Sequence, residues 1–146
     1  KTLPITWKRL VKDGQTCQRC GSTQHSVFGT MVKREAALRP LDIQPTLVTQ
    51  QLADASFRAD PSESNRLWIA GRPMEEWLGA SVGASTCCSV CGNLPCRTMQ
   101  VGGETYEAIP EDLIIRAAML AASAMIGARS AISTSSVCCT TKCDCH

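Results

Sequence analysis

Apolar and polar positions along the chain predict short strands in two groups. Residues 3–11 mix β-branched and aromatic side chains with charges, and residues 46–52 and the apolar run at 67–69 also favour strand. Residues 98–101 and 104–108 flank Gly102 and Gly103, a two-residue turn able to take positive φ. This late pair is therefore predicted to form a β-hairpin.

The longer periodic segments predict two main helices. Ser22 or Thr23 could cap the first, which would run to about residue 38 before Pro40. Within it, residues three or four positions apart in the sequence would share one face of the helix; these are Phe28, Met31, Val32, Glu35 and Leu38. The second begins around Pro110 and ends at Gly127, and it is apolar nearly all round, so we expect it to be buried.

Size and charge exclude several classes of protein. A chain of 146 residues with 44% hydrophobic residues can build one core, and a net charge of +2 without a run of like charges predicts no nucleic-acid partner. No apolar run reaches the roughly 18 residues of a transmembrane segment, and the N-terminus lacks the apolar region of a signal peptide. The cytoplasm is favoured, and an exported mature chain is the alternative.

Cysteines carry the most specific chemical signal. Four of the ten lie within residues 87–96, and the pattern Cys-x-x-Cys-Gly occurs both at Cys17 and Cys20 and at Cys88 and Cys91. Two such motifs supply four thiolates, the set that a tetrahedral Zn²⁺ or an iron centre requires. The long stretch between them means that the fold would have to bring the motifs together.

Other uses of these thiols stay open. Either pair could be a simple disulfide or inert buried thiols, and Cys87 and Cys96 are interpreted as structural or resolving thiols. In the redox alternative, Cys17 attacks a disulfide and Cys20 resolves the intermediate, because a helix N-terminus lowers a thiol pKa. No Ser–His–Asp pattern, phosphate loop or dinucleotide fingerprint predicts another enzyme class.

The C-terminal tail contains a second group of thiols. Residues 128–146 are rich in serine and threonine and are expected to have little fixed structure without a metal or disulfides. The candidate soft-metal ligands there are Cys138, Cys139, Cys143, Cys145 and His146. The alternative is pairing within the tail or with a neighbouring subunit. The final Cys-x-Cys-His has one residue too few between its cysteines for covalent haem attachment, which is not expected.

Three segments of the chain resemble a known family. These are CQRCGST, SNRLWIAGRPMEEWLG and CCSVCGNLPCRTMQVGGETYEAIPEDLIIRAAMLA, and the likeness, over residues 3–125, is to a small cysteine-rich thioredoxin-like family known only as a domain of unknown function. The resemblance implies a mixed α/β sheet flanked by helices, with residues 1–127 as the domain. The chain differs from thioredoxin-like oxidoreductases, which usually carry a cis-proline just before the strand that faces the thiols. Residues 64–66, which precede Leu67 here, contain no proline.

We therefore expect a protein that binds a soft metal through thiolates, of the zinc, copper, mercury or arsenic class, for delivery or detoxification. A thiol–disulfide oxidoreductase is the first alternative, and a disulfide-linked extracellular or assembly protein is the second. The expected partner is a metal ion or a thiol- or disulfide-bearing protein, with a disulfide-linked homo-oligomer as a further option.

Overall fold

The computed structural model describes residues 1–87, 89–92 and 94–133, and it has a mixed α/β fold with two sheets flanked by helices. The strands are β1 (Thr2–Leu10), β2 (Gln44–Leu52), β3 (Arg66–Ile69), β4 (Arg72–Pro73), β5 (Ser81–Thr86), β6 (Pro95–Val101) and β7 (Glu104–Tyr106). The α-helices are α1 (Gln18–Leu38), α2 (Asp54–Ala59), α3 (Met74–Leu78) and α4 (Glu111–Ser133). Short 3₁₀ helices cover Arg39–Leu41, Pro61–Glu63 and Ser89–Cys91. No helix in the described ranges is long and apolar enough to cross a membrane.

The first sheet has the strand order β2-β1-β3-β4. Strand β1 runs parallel to β2, so α1 serves as the crossover that a parallel pair requires. Strand β3 runs antiparallel to β1, with Trp7 opposite Leu67, and β4 returns beside β3. The predicted order of strand, Cys-x-x-Cys, helix, strand and short strand is confirmed, and the structure adds the parallel and antiparallel directions.

The second sheet contains the predicted hairpin and a strand that the pattern did not predict. Strands β6 and β7 pair around Gly102 and Gly103, whose φ values are +60° and +84°. Strand β5 completes the sheet, in the order β5-β6-β7. Its sequence, SVGAST, is small and polar, so its β propensity is weak. A Cβ at Gly83 would lie 2.8 Å from Thr98 Oγ1, and glycine thus permits the close approach of β5 to β6.

The buried face of α1 differs from the predicted one. Phe28 and Val32 were expected on the apolar face but are 47% and 76% exposed. The buried face instead includes Thr23, Thr30 and Arg34. These polar side chains have hydrogen-bond partners: Thr23 Oγ1 accepts from Ile109 N at 3.0 Å, Thr30 donates to Ser26 O at 2.8 Å, and Arg34 donates to Ile115 O. Hydrophobic spacing correctly included Leu38, which is buried, but misplaced Phe28 and Val32, because buried polar groups paired like Thr23 and Thr30 cost little.

Two predicted helix ends are also wrong. Helix α1 begins at Gln18 with Cys17 as its N-cap, four or more residues before the expected start, and α4 continues through Gly127 to Ser133. The boundary drawn between residues 127 and 128 therefore falls within a helix. Glycine is tolerated inside α4 because its cost of about 1 kcal/mol relative to alanine is small beside the burial of a helix face.

The core lies between the first sheet and helices α1 and α4. Trp7, Phe57 and Ile69 are fully buried, and α4 contributes a face of small residues. The buried alanines of α4 are Ala117, Ala118, Ala121 and Ala122. The opposite side of α4 is not buried as expected, since Met119 and Leu120 are 44% and 42% exposed.

Candidate metal centre

Four cysteine sulfurs meet where the second sheet packs against the start of α1. The Sγ atoms of Cys17, Cys87, Cys91 and Cys96 all lie within 4.8 Å of one another. In a tetrahedral zinc site with Zn–S bonds of about 2.3 Å, the sulfurs stand about 3.8 Å apart. Sulfurs at the 4.8 Å limit would have to approach by about 1 Å, and Cys91 and Cys96, whose Sγ atoms are 2.9 Å apart, would have to separate by about 1 Å, to surround one ion. The cluster could hold a metal ion.

Cys17 enters the cluster because it is the N-cap of α1. Strand β1 and the turn after it carry the chain to the helix start, where Cys17 takes an extended conformation with ψ 162°. Its Sγ accepts a hydrogen bond from the backbone N–H of Cys20 at 3.5 Å. The side chain is 2% exposed. The helix N-terminus thus directs the N–H of Cys20 at a sulfur that becomes negatively charged when deprotonated.

The connection between β5 and β6 supplies the other three sulfurs. Cys87 follows β5, Cys91 ends the 3₁₀ helix Ser89–Cys91, and Cys96 lies on β6 opposite Ser85. Gly92 then turns the chain with φ +65°, and its N–H donates to Ser89 O at 3.0 Å. Cys91 and Cys96 Sγ are 2.9 Å apart, well beyond the length of a disulfide bond of about 2.05 Å. All five cysteines in the described part of the chain are free thiols.

Two buried arginines hold the second sheet in place around the cluster. Arg19, next to Cys20, donates to the carbonyls of Ser85 and Thr86 at 3.3 and 2.6 Å and pairs with Glu107 at 3.0 Å. These bonds fix the end of β5 immediately before Cys87.

Arg97 fixes strand β6 next to Cys96, on the other side of the cluster. It follows Cys96 on β6 and donates to Ser62 O at 2.9 Å and to Glu75 Oε1 at 2.6 Å. Arg97 is 7% exposed, so this ion pair lies in a region of low dielectric. The sulfurs are therefore brought together by contacts that do not depend on a metal.

The four thiols differ strongly in acidity. Hydrogen bonds from the thiols of Cys20 and Cys96 hold the pKa of Cys17 far below its usual range, despite burial. The hydrogen bond to Cys17 raises the pKa of both Cys20 and Cys96. Burial raises the pKa of Cys91 to about 12 and also raises the pKa of Cys87. The cluster thus combines one thiol of lowered pKa with three of raised pKa, and an ion that binds all four would displace their protons.

Comparison with known proteins places most of the chain in one family. Residues 3–118 match a family model described as a domain of unknown function, DUF2703. The chain belongs to this family. A relative from Archaeoglobus fulgidus, named an uncharacterized protein, is 36% identical over 112 residues, which cover 77% of this chain and 82% of the relative. No solved structure matches the chain. All four clustered cysteines lie inside the DUF2703 region, and the cysteines of the tail lie beyond it.

The structure brings together part of the predicted ligand set. Cys17 and Cys91, one from each Cys-x-x-Cys-Gly motif, are in the cluster. Cys20 is buried beside it, but its Sγ lies 3.7 Å from Ser64 Oγ and is not among the four grouped sulfurs. Cys88 lies outside the described residues, as do the predicted tail ligands Cys138, Cys139, Cys143, Cys145 and His146.

Two cysteines of the cluster, Cys87 and Cys96, were not predicted as metal ligands from the Cys-x-x-Cys spacing. Both lie in the DUF2703 region, and both were expected to be structural or resolving thiols. Their sulfurs join the cluster because β5 and β6 pair side by side, which brings the two ends of the loop together. The density of four cysteines in ten residues was the only signal for them. His25, expected on the helix surface, is exposed on α1.

Proposed function

We propose that this protein binds one soft metal ion through the thiolates of Cys17, Cys87, Cys91 and Cys96, for delivery or detoxification. The observation that carries the proposal is the grouping of the four sulfurs within 4.8 Å. Four sulfur donors at this spacing suit a cation, because it would compensate the negative charge that the sulfurs gain when they lose their protons. The fixed positions of Arg19 and Arg97 keep the donors together before the ion arrives.

The donor set favours a particular class of ion. Sulfur ligands select Zn²⁺, Cu(I) and other thiophilic ions such as Hg²⁺ or As(III) over Mg²⁺ or Ca²⁺, which prefer oxygen. A catalytic zinc site keeps an open position for water and uses three protein ligands. Here four sulfurs could close the coordination sphere, which suits holding an ion. Cys87 is half-buried, and this partial access favours an ion that is exchanged over a purely structural one.

The scaffold is proposed to be thioredoxin-like. Strand β1 leads into Cys17 and α1, β2 is parallel to β1, and β3 is antiparallel, which is the order that the family resemblance implies. Before β3, where thioredoxin-like oxidoreductases carry a proline, this chain has Ser64, whose hydroxyl contacts Cys20 Sγ at 3.7 Å.

The redox alternative has one observation in its favour and one against it. The lowered pKa of Cys17 suits a nucleophile. However, Cys17 and Cys20 are 2% and 1% exposed, so a disulfide substrate could not reach either sulfur without a rearrangement. The five cysteines in the described ranges form no disulfide with one another, so nothing among them favours a disulfide-linked assembly. Metal binding is therefore the function that the geometry supports best.

The test compares two cysteines of one motif in metal-free, reduced protein. To remove the tail from the measurement, Cys138, Cys139, Cys143 and Cys145 are first changed to serine, which defines the tail-serine variant. In this variant, Zn²⁺ at about 100 times its Kd should stabilise the fold by about 2.7 kcal/mol. Adding Cys17→Ser should abolish most of this gain and the bound zinc together, because the binding energy is also folding energy.

Cys20→Ser is the matched control, because it removes a buried thiol from the same helical turn without removing one of the four grouped sulfurs. It should retain one zinc per chain in native mass spectrometry. A tail-serine variant whose thermal stability does not change on Zn²⁺ addition would overturn the proposed function.

The tail is proposed as a second soft-metal site, on sequence grounds alone. Cys138, Cys139, Cys143, Cys145 and His146 are close in sequence, so several metal–sulfur bonds could offset a backbone ordering cost of about 1 to 2 kcal/mol per residue. Native mass spectrometry should count one ion fewer in the tail-serine variant than in the wild type. If the tail instead links chains, nonreducing electrophoresis of the wild type should show dimers that the variant lacks. Equal ion counts and no dimers would rule out both roles.

A further inference from the structure

Access to the cluster differs among its four cysteines. Cys17, Cys91 and Cys96 are only 2%, 4% and 4% exposed. Cys87 is half-buried and is the member of the cluster that solvent can reach. An ion that arrives from outside must therefore meet Cys87 before the other three sulfurs.

Cys87 opens onto a cleft of about 400 Å³, which we name the exchange cleft. Besides Cys87, it is lined by Gln18, Arg19, Ser22, Thr86, Glu107 and Ala108. This volume is within the range of small-molecule sites, about 300 to 1,000 Å³. The space is much larger than a bare ion needs, so it can admit a small molecule that carries the ion.

The lining of the exchange cleft indicates what kind of molecule would fit. Amide and hydroxyl groups come from Gln18 and Ser22, and Arg19 and Glu107 form an ion pair with 3.0 Å between Nη2 and the carboxylate oxygen. The pair leaves the cleft polar without a net charge. A small polar thiol, of the class of cysteine or a short cysteine peptide, matches this lining better than an apolar or highly charged ligand.

We propose that the exchange cleft receives the metal as a complex with such a small polar thiol, and that Cys87 is the first protein ligand. The inference rests on the proposed function. In the transfer, the bond between the ion and the carrier sulfur breaks as a bond to Cys87 Sγ forms. The proton of Cys87 goes to the departing thiolate, and no oxidation state changes. The other three sulfurs lie within 4.8 Å and then complete the site.

The test blocks the exchange cleft without changing a ligand. Ser22 is exposed on α1 and lines the cleft, so Ser22→Trp should fill it while the helix is retained. The probe is Cd²⁺ given to the reduced tail-serine variant either as the aqueous ion or as its cysteine complex. Stopped-flow absorbance of the cadmium–thiolate band follows the transfer, and for the cysteine complex it is measured as the difference from the absorbance of that complex alone. Ser22→Trp should slow transfer from the cysteine complex at least tenfold and slow the aqueous ion much less, with the same final amount bound.

His25→Trp is the matched control, because His25 is exposed on the same helix but does not line the cleft. It should transfer at the rate of the tail-serine variant. Gln18→Trp, a second substitution in the cleft, replaces Ser22→Trp if that protein unfolds at lower temperature. Unchanged rates in the blocked protein, or equal slowing of both forms of cadmium, would overturn the inference. Absence of the cadmium–thiolate band after addition of the aqueous ion would instead reject the proposed function itself.

Discussion

The two Cys-x-x-Cys-Gly motifs share their spacing but differ in structure. In the first, residues from Gln18 onward are helical, and Gly21 lies in the first turn of α1 with its N–H donating to Cys17 O at 2.9 Å. In the second, a 3₁₀ helix ends at Cys91 and Gly92 has φ +65°. The same glycine position is thus right-handed in one motif and left-handed in the other.

The difference follows from what surrounds each motif. The first lies between a strand and a long helix, so a sulfur at its beginning becomes a helix cap and the next cysteine points into the core. The second lies in a connection between two antiparallel strands, where the chain must reverse. Identical spacing therefore does not imply identical ligand geometry. The four grouped sulfurs include one from the first motif and three from the β5–β6 connection.

The largest expected loss of stability comes from removing Arg97, which anchors the second sheet. Arg97→Met leaves the carboxylate of Glu75, whose side chain is 14% exposed, with the more distant Arg66, at 3.6 Å, as its ion-pair partner. Loss of one partner from a buried pair costs about 3 to 5 kcal/mol. We expect a loss of about 3 kcal/mol in the free energy of unfolding of the metal-free protein, measured by urea denaturation, and weaker zinc binding because Cys96 is adjacent.

Arg72→Met is the control for Arg97→Met. Arg72 pairs with Glu76 on the surface, where both side chains are more than half exposed. Exposed pairs contribute about 0 to 1 kcal/mol, so this substitution should change stability little. If the two substitutions had the same effect, Arg97 would not anchor the second sheet.

The next effect tests the left-handed glycine of the second motif. Gly92→Ala forces a side chain into a conformation that costs about 1 to 2 kcal/mol for residues other than glycine. Stability should fall by that amount, and zinc affinity should fall as well because Gly92 follows Cys91 directly. Urea denaturation and zinc competition with a chelator measure the two effects. A stability equal to that of the wild type would show that this turn is not left-handed in solution.

The smallest expected effect is a gain in stability at Gly21, the glycine of the first motif, in contrast to the loss expected at Gly92. Gly21 is helical, and no atom lies within 4 Å of an added Cβ. Gly21→Ala should therefore stabilise the protein by about 0.5 to 1 kcal/mol through its higher helix propensity. Thermal unfolding of the metal-free, reduced protein measures the gain. Destabilisation by Gly21→Ala would contradict the helical start of α1.

Sequence patterns predicted some parts of the site better than others. The strand composition of residues 3–11, the glycine turn at residues 102–103 and the helix start near Pro110 are local signals. Each of these features forms within a few residues of where it was expected. The buried face of α1 was not predictable from hydrophobicity. Thr23 and Arg34 are buried there because α4 and the segment before it supply partners that are far away in sequence.

By itself, the sequence determined the mixed order of strands and helices, the membership of the DUF2703 family and the abundance of thiols. Only the tertiary structure decided which thiols meet. Cys17 is separated from Cys96 by most of the domain, and their sulfurs come together because Arg19 and Arg97 fix the second sheet against α1 and α3. Such contacts depend on atoms distant in sequence, and the spacing of cysteines along the chain does not contain them.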